Sequence, residues 1–410
     1  MATTPMAALD PAGYRRGEAG YRRITIALFA AGMTTFVAMY CAQAVLPALS
    51  TSFHVSPAGA ALSVSATTGL LALAIIPVSA LSERFGRTRI MAGSAIASAI
   101  IGLIAPLAPS MSVLVVLRGI QGVALAGVPA TAMAYLAEEV HRDHLGAAMG
   151  RYIAGTTVGG LAGRLIASFT LDVSNWRWAM AAAALVALAF TAVFIRLAPS
   201  SVYFRPQPVG LRDTSRAVLG HLRNPALVAL FATGFLLMGG FVSVYNMLGY
   251  RLLAAPFSLP ESIVGLVFLM YLSGTVSSSV AGRVADRWGR QRTLLAAEAM
   301  TLAGLLLTLP GQLVWVLLGM LLFTAGFFAA HAIASGWVGL IAVEHRAEAS
   351  SLYLFAYYVG SSVLGAVVGV AYSAAHWNGT TGYVAALVVC ALAIGVAIPS
   401  LTRRATAVTA

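Results

Sequence analysis

The sequence predicts an all-α integral membrane protein, with twelve transmembrane helices arranged in two six-helix bundles. Hydrophobic residues make up 60% of the 410-residue chain and charged residues only 9%, and the mean hydropathy is +0.87. Apolar runs approach the roughly 20 residues that span a bilayer. A charged motif around Gly86 recurs around Gly289, 203 residues later, at about half of the chain length. Such a repeat indicates two similar bundles joined head to tail.

Each half of the chain contains six apolar runs. The runs of the first half are residues 24–49, 58–81, 90–108, 112–136, 145–171 and 176–197, and those of the second half are 225–250, 261–284, 293–309, 314–343, 349–374 and 382–401. An even number of spans places both termini on one side of the membrane. The predicted domains are an N-terminal tail (1–23), a first bundle (24–197), a linker (198–223), a second bundle (224–402) and a C-terminal tail (403–410).

The basic residues are all arginine, 25 in number, and contribute to a net charge of +12. Most of them lie in short loops beside apolar spans, so they indicate a lipid bilayer as partner and no nucleic acid. Their distribution places both termini and the linker on the cytoplasmic side. Residues 1–23 lack the apolar core of a signal peptide and are expected to stay in the cytoplasm. Leu211, Val218 and Leu222 recur at helical spacing, which predicts a short linker helix on the inner leaflet.

The two copies of the charged motif lie between spans 2 and 3 (residues 79–89, SALSERFGRTR) and between spans 8 and 9 (residues 281–292, AGRVADRWGRQR). Glycine permits a tight turn, an acid can pair at a helix end, and arginines can bind acids or helix C-termini across the bundle. One copy alone would fit a solvated loop, whereas two copies at matching places favour a function. The predicted cytoplasmic gate, which we expect to hold the bundles together, comprises Glu83, Arg84, Gly86, Arg87, Asp286, Arg287, Gly289 and Arg290.

This motif resembles the signature of the major facilitator superfamily. The first copy departs from the family pattern, with Ser79 for glycine and Glu83 for aspartate, so the gate is expected to depend on Asp286. Span 4 contains RGIQG from Arg118 to Gly122, which resembles the R-x-x-Q-G motif of the superfamily. The resemblance implies two bundles around a midplane site that opens alternately to each side.

Span 5 carries glycines at 155, 159 and 163, followed by Arg164. Small residues four apart allow a neighbouring helix to approach closely. The GGxxGR sequence, together with residues 330–339 and 350–362, resembles the bacterial acriflavine-sensitivity (YnfM-like) branch of the superfamily, which implies a bacterial inner membrane protein. A glycine-rich span 5 is associated with exporters in the superfamily, although the proline of the exporter motif is missing here.

Two arginines lie inside spans, where each charge costs about 2.5–3.5 kcal/mol on insertion scales. Arg118 either snorkels to the headgroups or, with Gln121 on the same helix face and His331 in span 10, takes part in proton coupling. Arg164 is expected to contact substrate or to pack at a gate. Both arginines could instead pair with backbone carbonyls.

Polar and aromatic residues in the middle of several spans are expected to face an interior cavity, because they need partners or water. Spans 1 and 7 are equivalent under the repeat, and each contributes two such residues. A lone histidine is more often hydrogen-bonded between helices than a proton carrier, yet this lining suits an amphipathic ligand. The predicted substrate-binding residues are Tyr40, Gln43, Arg164, Tyr245, Asn246, His331, Trp337, Tyr357 and Tyr358.

Several motifs are missing from the sequence. Glu298 is placed only five residues into span 9, so no acid is expected in mid-membrane. No nucleotide loop, nucleophile constellation or metal cluster is present, so neither a cofactor, a bound metal nor an enzyme activity is expected. The sequence therefore predicts a monomeric secondary active transporter, performing proton-coupled efflux of a small organic molecule. A transporter of organic anions, favoured by Arg118 and Arg164, and a receptor that binds ligand without moving it are the alternatives.

Overall fold

The computed structural model describes residues 13–202, 204, 211–342 and 344–409. These residues form α-helices and two short 3-10 helices, and no strand element is present among them. The prediction of an all-α protein is confirmed. The helices are α1 (Ala19–Ala44), α2 (Leu46–Phe53), α3 (Pro57–Phe85), α4 (Arg87–Ile104), α5 (Met111–Leu125), α6 (Gly127–Glu139), α7 (Arg142–Val173), α8 (Trp176–Leu197), α9 (Leu211–Arg223), α10 (Pro225–Leu253), α11 (Glu261–Leu266), α12 (Tyr271–Trp288), α13 (Arg290–Leu307), α14 (Leu313–Ile341) and α15 (Arg346–Thr409).

Every predicted span coincides with one or two of these helices. Within the described ranges, nine helical segments are long and apolar enough to cross a membrane. Spans 5 and 9 coincide with the more polar α7 and α13, and spans 11 and 12 both lie in α15, whose backbone is non-helical at Ala375 and His376. Length and composition alone therefore support fewer crossings than the predicted twelve.

Gly86 and Gly289 terminate α3 and α12, and the next helix begins immediately after each of them. Their φ angles are +93° and +87°. Side chains with a Cβ rarely adopt this conformation, so glycine is what permits the tight turn. The predicted turns at the two motif copies are present in the structure.

The glycine face of α7 packs directly on the backbone of α1. A Cβ added at Gly155, Gly159 or Gly163 would lie 2.4–2.8 Å from a main-chain atom of α1. Only glycine allows this separation, which confirms the close helix approach predicted from the small residues.

The two halves of the chain, residues 19–197 and 225–401, meet along a seam. We call the end of the molecule where α8 ends and α10 begins the linker side, and the opposite end the far side. On the far side, Tyr250 donates to the Leu46 carbonyl at 2.9 Å and lies 2.6 Å from the Ser50 hydroxyl. Nearer mid-height, Ser362 of α15 donates to the Ser65 carbonyl of α3 at 2.7 Å. The Tyr250 contacts hold the far side closed.

The linker contains the predicted short helix, α9. His221 on α9 is 3.0 Å from the His345 carbonyl, which docks the helix on the second half, while Leu219 and Leu222 remain exposed. One face of this amphipathic helix thus packs on the second half, and another face carries exposed apolar side chains. Residues 203 and 205–210 of the linker and residues 1–12 of the N-terminal tail lie outside the described residues.

Candidate functional site

At mid-height, the seam is closed by two amides from equivalent positions of the repeat. Gln43 of α1 donates to the Asn246 Oδ1 of α10 at 2.7 Å, and the two residues are 203 positions apart, the same offset as the two motif glycines. Asn246 donates in turn to the Gly365 carbonyl of α15 at 3.2 Å. Both amides are buried. The structure therefore brings together the polar residues that the sequence predicts to face the interior from spans 1 and 7.

Arg164 of α7 lies beside this pair and connects to both halves. Its Nε donates to the Gln43 Oε1 at 2.8 Å, Nη1 to the Gly160 carbonyl at 2.8 Å, and Nη2 to the Tyr271 hydroxyl at 3.0 Å. Gln43 belongs to the first half and Tyr271 to the second. The guanidinium therefore spans the seam.

Three aromatic rings surround the Arg164 guanidinium, and we call them the aromatic cage. The ring centroids of Tyr40, Tyr271 and Phe268 lie 4.2, 4.5 and 5.1 Å from its Cζ atom. At these distances each ring face attracts a cation. Tyr40 was predicted from the sequence, whereas Tyr271 and Phe268 were missed. Both lie within predicted span 8, and only the fold shows that they are at the same depth as Arg164 of span 5.

The cage holds a charge that has no acidic partner. Arg164 is 1% exposed, and among the described residues it makes no ion pair. Its acceptors are an amide oxygen, a carbonyl and a hydroxyl, all of them neutral. These bonds use three of the five N–H groups of a guanidinium, so further donors remain for an anion. Within the part of the chain that the structure describes, this is a cationic site enclosed by neutral groups.

Arg118 has a different environment, entirely inside the first half. It donates to the carbonyls of Ser63 at 3.1 Å, Ala38 at 2.7 Å and Met39 at 2.7 Å, and to the Gln121 Oε1 at 2.5 Å. It is 0% exposed, so the alternative of snorkelling to the headgroups is wrong. Instead, the guanidinium joins α1, α3 and α5. Arg164 does not line the small cavity beside Arg118.

Gln121 extends the Arg118 network to a fourth helix, because its Nε2 donates to the Ser98 carbonyl of α4 at 3.0 Å. A small cavity lies beside these side chains, bordered by Cys41 and Met180. The sequence predicted that Arg118 and Gln121 act together, and the structure places them in direct contact. Their role in proton coupling stays a prediction.

His331 lies in the second half, in a cluster of aromatic rings. Its Nδ1 is 2.9 Å from the hydroxyl of Tyr353, which the sequence analysis missed, and its ring lies 4.7 Å from that of Tyr357 between centroids. Tyr358 stacks edge-on against Tyr357. Trp337, six residues further along α14, is partly buried. The lone histidine is thus hydrogen-bonded between two helices.

Tyr245 packs in the same half, on the cage. Its hydroxyl lies 2.7 Å from the Thr324 hydroxyl, and its ring centroid is 4.8 Å from that of Tyr271. Tyr245 is 1% exposed, so in this conformation it supports Tyr271 and does not line open space. A role in substrate binding would require the cage to open.

The first copy of the charged motif forms a network within its own half. Arg87 donates to Glu83 at 2.5 Å, to Glu138 at 2.9 Å and to the Ser82 hydroxyl at 2.6 Å. Glu138 is the next-to-last residue of α6 and was not among the predicted gate residues, although its position at the end of span 4 was the available signal. The expectation that these charges join the two bundles is not met in this conformation, because all of the partners belong to the first half. Arg84, next to Glu83, is exposed.

The second copy makes no comparable network. Asp286 and Arg287 are exposed, and in the described ranges Asp286 makes no ion pair. Arg290 is partly buried, with Nη1 within 3.8 Å of a Cβ built on Gly336. The better match to the family motif is therefore the copy without ion pairs among the described residues, and the dependence of the gate on Asp286 stays a prediction.

Glu298 corrects another expectation. It is the ninth of the 18 residues of α13, which begins three residues before the predicted span, and it is 0% exposed. An acid therefore does lie at mid-helix, because the arginines at the start of α13 belong to the helix and not to the loop.

Comparison with known proteins identifies the family. The family model described as the Major Facilitator Superfamily matches residues 28–264. The chain belongs to the major facilitator superfamily. The uncharacterized MFS-type transporter YybF of Bacillus subtilis (strain 168) is 41% identical, over 92% of this chain and 94% of the relative. The inner membrane transport protein YnfM of Escherichia coli (strain K12) is also 41% identical, over 93% of this chain and 91% of the relative.

Solved structures of other members share the fold. A bacterial homolog of the human lysosomal transporter Spinster, in an inward-facing and occupied conformation, gives a TM-score of 0.74 at 14% identity and covers 95% of this chain and 98% of its own. The D-xylose-proton symporter gives a TM-score of 0.69 at 16% identity, covering 92% and 96%. The resemblance to the superfamily and to its YnfM-like branch is confirmed. This major facilitator protein is a multi-pass membrane transporter and not an enzyme.

Proposed function

We propose that this transporter moves a small organic anion by alternating access, with Arg164 as the anion-binding group. The observation that carries the proposal is a fully buried guanidinium, at the seam between the halves, without an acidic partner among the described residues. An unpaired charge in a bilayer is costly and is retained where it serves a function. A carboxylate substrate supplies the missing counter-charge.

Substrate binding at Arg164 would act directly on the seam. A carboxylate forms charge-assisted hydrogen bonds with a guanidinium that are roughly twice as strong as neutral ones. It therefore competes favourably with the Gln43 amide oxygen and the Tyr271 hydroxyl, which now accept from Arg164. Displacing Tyr271 removes a bond between the two halves. The same N–H groups of Arg164 therefore bind the substrate and hold the seam, so substrate binding and rearrangement of the seam are linked.

The alternating-access part of the proposal is supported by where the halves touch. The Tyr250 contacts lie on the far side, and the Ser362, Arg164 and Gln43 contacts lie nearer mid-height. This arrangement fits one of two states, closed on the far side and open toward the linker. With the linker in the cytoplasm, as the arginine distribution predicts, the state is inward-facing.

The test compares acids with their amides. Purified wild-type protein is heated with a panel of small carboxylic acids, each paired with its neutral amide of nearly the same shape. A ligand at 100 times its dissociation constant stabilises the protein by about 2.7 kcal/mol. We expect at least one acid to raise the apparent melting temperature while its amide does not. Equal shifts for acid and amide throughout the panel would contradict the anion site.

A second candidate is efflux of uncharged or amphipathic compounds, favoured by the aromatic rings of the second half. Phe241 stacks on Phe327 with 3.9 Å between centroids and meets Tyr271 edge-on at 5.3 Å. A more distant relative, 30% identical over 60% of this chain, carries the name multidrug resistance protein MdtG. For either substrate class we propose export in exchange for protons. Stabilisation by neutral aromatic compounds alone would favour this candidate.

The proposed orientation places both termini and α9 in the cytoplasm of a bacterial cell, at the inner membrane. Gly220 on α9 is exposed, and a Cβ there meets no atom within 4 Å, so Gly220→Cys is tolerated. In a variant lacking Cys41 and Cys390, we expect a membrane-impermeant maleimide to label this cysteine only after permeabilisation. Labelling from outside intact cells would reverse the proposed topology.

A further inference from the structure

Glu298 carries a buried carboxyl group that belongs neither to the Arg164 site nor to the contacts across the seam. Both of its carboxyl oxygens are buried and make no hydrogen bond within the described structure, and the side chain is 0% exposed. It lies eight residues into α13, about 12 Å from the start of the helix at 1.5 Å per residue. The carboxyl group is therefore held well inside the apolar layer.

The surroundings of Glu298 provide no cation. Its Oε2 lies 3.1 Å from the Cβ position of Gly395, and Leu294 and Leu295 of α13 border the same point. On α15, the titratable side chain within electrostatic range of the Glu298 carboxyl group is Tyr353, a neutral phenol. From α14, the titratable group is His331, which is hydrogen-bonded to Tyr353.

The remaining charged groups on neighbouring helices lie at the linker-side end. Arg290 and Arg292 stand about two helical turns before Glu298 on α13. On α12, Arg283, Asp286 and Arg287 are exposed. Cys390 of α15 is exposed as well. None of these side chains forms an ion pair with Glu298 in the described ranges, so a negative charge there would be buried and uncompensated.

We propose that Glu298 is a proton-binding site of the transport cycle, protonated in the present conformation and deprotonated in the alternative one. An isolated carboxylate transferred out of water is so unfavourable that the group takes up a proton instead. The proposal rests on the secondary transport proposed above and assigns the coupling proton to a residue. In the bound state the proton is on a carboxyl oxygen, and on release it passes to water.

One helix connects this site to the seam. Tyr353 and Ser362 both lie on α15, nine residues or about 13 Å apart along the axis. Ser362 bonds the first half across the seam, and Tyr353 borders the Glu298 side. A movement of α15 that breaks this contact therefore also changes the environment of Glu298. Tyr353 and the partly exposed His331, which are hydrogen-bonded to each other, are the polar side chains on this side of the site.

A chemical test needs no variant. N,N′-dicyclohexylcarbodiimide is an apolar reagent that adds to a protonated carboxyl group in an apolar environment, and the adduct is located by peptide mass spectrometry. We expect labelling of Glu298 in wild-type protein at pH 7, where an exposed glutamate with a pKa of about 4.3 is ionised. Absence of the adduct between about pH 5 and pH 8 would overturn the proposal.

A flux test then asks whether the proton is coupled to transport. Glu298→Gln mimics the protonated group in size, and Glu344→Gln, which removes an exposed carboxylate, is the matched control. In liposomes, we expect Glu298→Gln to lose at least about five-fold of the accumulation driven by a pH gradient, while exchange between equal solutions continues. Glu344→Gln keeps both activities. Full gradient-driven accumulation by Glu298→Gln would refute coupling at this residue.

The two tests separate this proposal from the anion site. If wild-type liposomes move no acid of the panel but exchange a neutral compound, the substrate class is wrong, and the same flux test is run with that compound. If the acids are moved and Glu298 is not labelled, the anion site stands and the proton site fails.

Discussion

The two buried arginines of the first half show how the same side chain can serve structure or function. Arg118 donates four hydrogen bonds, three of them to backbone carbonyls, and all of its partners belong to the first half. Arg164 donates three, of which one crosses to the second half through Tyr271. A backbone carbonyl cannot turn away without moving a helix, whereas an amide or a hydroxyl can rotate. Arg118 is therefore fixed, and Arg164 is held by partners that can be exchanged.

This difference assigns the arginines to different steps of alternating access. Rigid-body rocking needs halves that stay intact, and the Arg118 network ties together four helices of one half. It also needs a seam that can change, and the Arg164 network lies at that seam. We infer that substitution of Arg118 mainly lowers the stability of the protein and leaves its substrate selectivity in place. Substitution of Arg164 is expected mainly to change substrate selectivity, with a smaller effect on stability.

The largest effect is expected for Arg164→Gln. The variant keeps a hydrogen-bond donor but removes the charge, and hydrogen bonds to charged groups contribute about 1.5–3 kcal/mol. We expect the dissociation constant of an acid that binds the wild type to rise by roughly 10- to 150-fold, while the matched amide is unaffected. Arg164→Lys keeps the charge but loses the planar set of N–H donors. Its dissociation constant for the acid should therefore lie between those of the wild type and Arg164→Gln. Calorimetric titration measures the constants, and unchanged acid affinity in Arg164→Gln would contradict the assignment.

A smaller effect, on stability, is expected for Arg118→Lys. An ammonium group cannot reach carbonyls on α1 and α3 together with Gln121, and hydrogen bonds within membrane proteins average about 0.6 kcal/mol each. Loss of two or three of them lowers the unfolding free energy by about 1–2 kcal/mol. We expect a lower apparent melting temperature in thermal unfolding, with the preference for acid over amide retained. A variant of wild-type stability that loses this preference would place Arg118 in the binding site instead.

The sequence could predict residues whose partners are related by the repeat. Gln43 and Asn246 are polar, lie in mid-span and are equivalent under the 203-residue offset, so their meeting follows from the symmetry of two similar bundles. The glycines of span 5 were predictable for a similar reason, because a small-residue face requires a close neighbour. Helix periodicity and the repeat supply this information without any knowledge of the fold.

The sequence could not predict contacts that depend on the relative depths of side chains on neighbouring helices. Whether Arg118 snorkels or bonds to carbonyls depends on the height of α1 beside it, and the cage around Arg164 requires Tyr271 of the other half at the same level. The position of Glu298 was misjudged because the boundary of span 9 was placed after the arginines that begin α13. An error of three residues is about 4.5 Å along a helix, which moves an acid from near the headgroups toward mid-membrane.

The two motif copies offer the finest comparison, since they share a turn and differ in their partners. Arg87 is bound by Glu83 and Glu138, whereas Asp286 is exposed. Substitutions at exposed positions usually change stability by less than about 0.5 kcal/mol, so Asp286→Asn should melt like the wild type. Glu138→Gln, which weakens a partly buried ion pair, should melt at a slightly lower temperature.

Flux decides whether the second copy acts as a gate. If Asp286 binds a partner only in the state that is closed on the linker side, Asp286→Asn disfavours that state and slows transport without reducing stability or substrate affinity. We therefore expect reduced flux in liposomes at equal protein content, with acid binding retained, because the substitution disfavours only the state closed on the linker side and leaves the linker-open state available to the acid. Flux equal to that of the wild type would leave the charges of the second loop with their topological role alone, since arginines on the cytoplasmic side are sufficient to orient the adjacent spans.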